Sequence, residues 1–162
     1  EYRGNSMKEG TNDVQRLVQA KELVALSSQM GGYSQPEVTA KVAEYGFENY
    51  LAASGLVSRA NYPDKYSMEL HAMTIDGVSF IFAPFEMFGV TGKEIKDNSP
   101  YDMTFVITCS ENKDSYHMGY MPHEYACEES FYEYDVTKFA RGTAEDLAVT
   151  YVELLTEMKN EG

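Results

Sequence analysis

The dipeptide Asp76-Gly77 lies between two strand-like runs, "YSMELHAMTI" and "VSFIFAP". Asp-Gly suits the tight two-residue turn whose positive φ angles match the twist of paired strands, so this segment predicts a β-hairpin. That commits the second half of the chain to a sheet. "DMTFVITC" (102–109) predicts a third strand, nearly all apolar after Asp102 and therefore expected to be central. Before the hairpin the period is different. Val14, Leu17, Val18, Val24 and Ala25 keep helical spacing, so 13–30 reads as a helix stopped by Gly31-Gly32. In "SQPE", Ser34 can cap a second helix while Glu37 reaches back and Pro36 fills the first turn. Val38, Val42 and Tyr45 share one face of that helix, which is expected to end near Gly55. The chain closes with "GTAEDLAVTYVELLTEM". Thr143 is placed to cap this segment, and Ala144, Leu147, Ala148, Tyr151, Leu155 and Met158 form an apolar stripe. The order of elements predicts an α/β (or α+β) fold: a mixed sheet with the hairpin, a central apolar strand and packed helices. Residues 1–12 read as a flexible lead-in and 13–162 as one domain.

Composition narrows the function. The chain has 162 residues, enough for an ordinary core, and no low-complexity tract. Its net charge of −13 excludes the basic footprint that a nucleic-acid surface needs. The same charge argues against holding an anionic membrane by electrostatics alone. The opening "EYRGNSMKEG" is polar, with no signal peptide or membrane span, and a start at Glu1 rather than Met points to a partial chain. The compartment stays open. Two cysteines, Cys109 and Cys127, make neither a CxxC motif nor a disulfide framework.

Few residues offer chemistry. His71, His117 and His123 form no HExxH or HxH pair, so no self-contained zinc site is expected. His71 alternates with Glu69 and Ser67, which reads as a solvated strand face. Cys109 ends an apolar strand and reads as a buried small hydrophobe. Ser79, Ser110 and Ser115 lack a GxSxG setting. Glu86 differs from these. In "FIFAPFEMFGVTGKEIK" an apolar strand delivers a lone carboxylate at its end, as a metal ligand or catalytic acid requires. The bland alternative is that Glu86 caps the helix following Phe88, where its charge suits the helix dipole.

From about Tyr66 onward the chain resembles the last part of the catalytic domain of the neutral (non-lysosomal) ceramidases, zinc amidases that cleave the N-acyl bond of ceramide. Pro84-Phe85-Glu86 is similar to that family's Pro-Gly-Glu at a strand end, and Thr91-Gly92-Lys93 follows at the expected separation. A strand, a loop and then Tyr120 come next. The register runs on without a gap to Tyr132-Glu133, Thr137 and Phe139. Two departures stand out: Phe85 replaces the motif glycine, and an arginine pair is reduced to Lys93 followed by Glu94. The resemblance implies that this chain is a fragment of a larger α/β domain, inactive alone, and supplies Glu86 and Tyr120 as two zinc ligands. Two histidine ligands and the catalytic residues are expected upstream in the same polypeptide. The implied cofactor is Zn2+, and the implied substrate is ceramide or another N-acyl, sphingolipid-like compound. The alternative is a non-catalytic α/β binding or assembly module that keeps the fold without the metal site.

Overall fold

The computed structural model describes residues 2–5, 13–63, 65–110, 118–129 and 131–161. The sequence reads as one domain over 13–162, but the chain gathers into two compact units, residues 7–64 and residues 1–6 with 65–162.

Residues 7–64 hold three helices. Helix α1 (Val14–Met30) starts at Asp13, whose carboxylate accepts from the Arg16 amide at 2.9 Å, and it ends at Gly31 in the left-handed region. Helix α2 (Pro36–Glu44) has no side-chain cap, so the expected Ser34 box is not formed. It also stops well before Gly55. Gly46 takes a φ of 65°, which glycine adopts without the Cβ penalty, and Asn49 restarts the chain by capping α3 (Tyr50–Ala60). Ala20, Leu23, Val38, Val42, Phe47, Ala53 and Leu56 form the core between the helices. Arg16 closes it at one end. Its Nη1 and Nη2 donate to the carbonyls of Tyr45 and Gly46 at 2.7 and 2.9 Å, and its guanidinium lies 3.7 Å from the Phe47 ring centroid. The Tyr45 carbonyl, at the C-cap of α2, is among the acceptors that a helix end leaves without intrahelical partners.

The second unit is α/β. Strand β1 (Tyr2–Asn5) pairs antiparallel with β2 (Lys65–Met68), so part of the expected lead-in is a strand; residues 6–12 lie outside the described residues. The run "YSMELHAMTI" breaks at Glu69-Leu70, and β3 (His71–Ile75) begins a different sheet. As expected, β3 and β4 (Val78–Phe82) form a hairpin around Asp76 and Gly77, both with positive φ. The chain then passes through β5 (Glu86–Met87) and α4 (Gly89–Asn98) to β6 (Met103–Ile107), which pairs parallel with β4. The sheet is mixed, in the order β3-β4-β6. Strand β6 is therefore an edge strand among the described residues, and β4 is the central one. The apolar run that suggested a central strand reflects something else: β6 has apolar side chains on both faces although only one is covered.

Strand β7 (Tyr120–Met121) pairs parallel with β5, and three helices follow: α5 (Glu124–Glu128), α6 (Tyr132–Val136) and α7 (Thr143–Glu161). The stripe on α7 is buried as expected from Ala144 to Leu155, with Met158 half-buried. Thr143 does not cap. It is the first helical residue, and its buried hydroxyl has no hydrogen-bond partner.

The sheet's two faces differ. On the inner face Ser79, Ile81 and Thr104 are buried; Ser79 Oγ and Thr104 Oγ1 lie 2.7 Å apart, and Tyr151 of α7 donates to the Phe82 carbonyl at 2.7 Å. Period-two alternation sends their neighbours outward. The outer face carries His71, Met73 and Ile75 from β3, Val78, Phe80 and Phe82 from β4, and Met103, Phe105 and Ile107 from β6.

Candidate metal centre

Beyond β4 the chain changes partners one residue at a time. Ala83 donates to Ile107 at 2.8 Å and accepts from Ser110 at 3.0 Å, so it still pairs with the tail of β6. The Phe85 carbonyl accepts from Cys109 at 3.1 Å. Pro84, which has no amide proton to offer, accepts from Met118 at 3.1 Å, and Glu86 then donates to Gly119 at 2.9 Å. This switch inserts the Glu86 end of the chain between the β6 tail and β7. Alternation fixes what points where. Phe85 is fully buried, edge-on to Phe139 with ring centroids 6.0 Å apart, so Glu86 turns to the opposite side and stays half-exposed. Phe85 is thus a core anchor that aims the next residue.

Glu86 and Tyr120 are register partners in the parallel β5–β7 pair. Directly opposed residues in a ladder share a face, with their backbones about 4.8 Å apart. Thr137 pins this strand by donating its hydroxyl to the Tyr120 carbonyl at 2.7 Å, and Thr137 Oγ1 in turn accepts from the Phe139 amide at 3.2 Å. The Tyr120 ring packs edge-on against Tyr132, with centroids 6.0 Å apart. Its phenol pKa is raised above the ordinary tyrosine value, first by the charge of Glu86, then by partial burial, with smaller contributions from Tyr132, Glu133 and Cys109. The structure therefore brings together the two residues singled out from sequence and adds three neighbours. Tyr132 and Glu133 enter the sequence reading only through the register. Cys109 corrects an expectation: it is an exposed free thiol in the left-handed region, because the strand ends at Ile107 and the backbone turns outward there.

The capping alternative for Glu86 finds no hydrogen bond. Helix α4 begins after Phe88 with no side-chain cap, and Glu86 belongs to β5. His71 is exposed, 3.6 Å from Glu69, as a solvated position requires. His123 caps α5, and its two ring nitrogens face Glu94 at 3.4 Å and Glu145 at 3.1 Å rather than Glu86. His117 lies outside the described residues. An open groove of about 560 Å³ between α4 and α7 is lined by Glu94, Asn98, Glu145, Val149, Val152 and Glu153, apart from the Glu86–Tyr120 pair.

The donor set suits half of a zinc shell. A carboxylate oxygen is an ordinary zinc ligand, and a phenol becomes one when a nearby cation favours its ionised form. Without a cation, Glu86 and Glu133 oppose that ionisation; a cation among these oxygens reverses the balance. Among the described residues no group of three or more His, Cys, Asp and Glu side chains is placed to hold a metal ion. Compared with known proteins, the chain matches no family model, no curated protein and no solved structure.

Proposed function

We propose that this chain is the C-terminal portion of a zinc-dependent amidase resembling neutral ceramidase, acting on ceramide or a related N-acyl compound. The observation that carries the reading is the β5–β7 register, which sets Glu86 opposite Tyr120 at the end of the central strand. Two residues with a shared ligand role are neighbours on one face, and the backbone switch at Pro84 makes them so.

In this reading Glu86 and Tyr120 would supply two ligands to a Zn2+ ion, and two histidines from the upstream part of the same polypeptide would supply the others. When bound, zinc lowers the pKa of a water and polarises the amide carbonyl, which is the chemistry that amide hydrolysis needs. The chain's own residues orient and exclude. Phe85, locked against Phe139, keeps Glu86 on the outer side, and Thr137 fixes the strand that carries Tyr120. Tyr120 keeps its proton until a cation offsets Glu86. Tyr132 shields one side of the phenol from water.

The test uses the polypeptide extended upstream of Glu1. Glu86→Gln keeps the shape but removes the charge, and should lower zinc affinity by about 100-fold or more, with turnover falling in step. Tyr120→Phe should lower turnover while leaving the apo melting curve in place. Normal zinc content and normal turnover in both variants would exclude the site. An extended polypeptide that folds, binds no zinc and hydrolyses no N-acyl amide would favour the non-catalytic module instead.

A further inference from the structure

Helix α7 has a second working face besides the stripe it buries. Glu145, Val149, Val152 and Glu153 recur every three or four residues and so share one side of the helix, next to buried Ala148. Glu94 and Asn98, one turn apart on α4, complete the lining of the open groove of about 560 Å³. That volume falls within the roughly 300–1,000 Å³ of small-molecule sites. The lining is divided by chemistry. Ala148, Val149 and Val152 make an apolar floor, with Val149 59% exposed. Glu94 and Glu145 stand at one end. Glu153 lies two turns further along α7, about 12 Å away at 1.5 Å of rise per residue. No cationic side chain lines the groove among the described residues.

The two-acid end is held in place. His123 Nε2 lies 3.4 Å from Glu94 Oε1, and His123 Nδ1 lies 3.1 Å from Glu145 Oε1, which also accepts from the Glu124 amide at 2.7 Å. Glu145 Oε2 is shut away from water and has no hydrogen-bond partner. A charged oxygen in that position is costly, and a cation beside it offsets the cost. Asn98 donates its side-chain amide to the Glu94 carbonyl at 2.8 Å, which leaves its side-chain oxygen to accept.

We propose that this groove binds a linear aliphatic polyamine. One ammonium sits at Glu94, Glu145 and Asn98, the methylene chain lies on the valine floor, and a second ammonium meets Glu153. Charge and spacing select this occupant. Carboxylates and an amide oxygen accept from ammonium groups and repel anions. A bare metal ion leaves the apolar floor unused, and no group of three metal-ligating side chains forms among the described residues. A monoamine reaches one end only. At about 3.5 Å per three bonds, an extended chain covers 12 Å with about ten bonds, close to the span between the terminal nitrogens of spermidine. A protein partner needs about 800 Å² of surface, more than a groove of this size presents. The proposal is independent of the zinc reading, because the groove and the Glu86–Tyr120 pair share no residue.

Isothermal titration of spermidine into the 162-residue chain tests this. We expect one site per chain, with hexylamine binding about ten-fold more weakly because it engages one end. Glu153→Gln should weaken spermidine about five-fold, the upper range for an exposed ion pair. Val149→Lys, at an exposed position that tolerates the change, should weaken it about ten-fold by setting a like charge on the floor. Glu37→Gln removes the same charge outside the groove and should change the affinity by less than about two-fold. Equal losses in Glu153→Gln and Glu37→Gln would reduce the binding to attraction by the net charge of −13 and overturn the proposal. So would hexylamine binding as tightly as spermidine, or the absence of saturable binding. An oligolysine peptide that binds more tightly than spermidine, and is blocked by Val149→Lys, would assign the groove to a basic protein segment and also overturn it.

Discussion

The helical unit and the α/β unit solve the burial problem differently. Three helices can turn their apolar stripes toward one another, and in residues 7–64 they do: the core from Ala20 to Leu56 is closed by elements of that unit alone. A sheet has two faces, and one layer of helices covers only one. In the α/β unit that layer covers Ser79, Ile81 and Thr104 and leaves Met73, Phe105 and Ile107 open. The same unit also sets Glu86 and Tyr120 opposite each other in the β5–β7 register, close enough for the carboxylate to raise the phenol pKa. The helical unit buries its apolar stripes within itself, and the sheet of the α/β unit keeps one apolar face in water.

Five measurements can break or sharpen that contrast. Phe85→Ala should have the largest effect. It empties a fully buried site behind Glu86 and should cost about 3–5 kcal/mol, unfolding the α/β unit while helical circular dichroism from residues 7–64 persists. A single transition that takes both units together would end the comparison. Arg16→Met tests the other side. It removes two charge-assisted hydrogen bonds and the contact with Phe47, so about 2 kcal/mol should be lost from the helical unit, with the chemical shifts of Tyr120 and Tyr132 unchanged.

Tyr151→Phe is expected to cost about 1 kcal/mol, the net value of its hydrogen bond to Phe82. It also carries a pH signature. Burial raises the Tyr151 pKa well above the ordinary phenol value, so the folded state holds this proton more tightly than the unfolded chain does. The stabilisation is complete below the ordinary pKa of about 10 and is lost as pH rises above it. Denaturant midpoints measured between pH 9 and 11 should fall more steeply for the native chain than for Tyr151→Phe; parallel slopes would show that this phenol ionises without cost. Tyr120 offers a related titration by ¹³C NMR of the ring carbons. Glu86→Gln should lower its pKa toward the ordinary value, because Glu86 is the largest cause of the rise. An unmoved titration would mean that the register does not bring the two groups together electrostatically.

Phe105→Ser should have the smallest effect on stability, within about 1 kcal/mol, since the ring is already half in water. A loss as large as that of Phe85→Ala would show that the open face is covered within this chain.

Much of this was legible in the sequence where local chemistry decides the outcome. The Asp76-Gly77 turn, the helix ended by Gly31 and the stripe from Ala144 to Leu155 follow from φ preferences and from period alone. Glu86 was also legible as a residue, an acid after Ala-Pro-Phe at a strand end, whereas Tyr120 stood out only through the family resemblance. Other features depended on neighbours distant in the chain. Whether 102–109 was central turned on which strands flank it, and β6 proved to be an edge. Cys109 reads as apolar until the backbone turns outward after Ile107. Ser34 and Thr143 had capping chemistry, yet α2 starts without a side-chain cap and Gly142 precedes the first turn of α7. Glu86 and Tyr120 became a pair only through the partner switch at Pro84, because a cross-strand register is a property of two segments folded together. Turns and stripes are fixed by interactions within a few residues; partners, edges and paired charges are fixed by packing, and only the tertiary structure sets those.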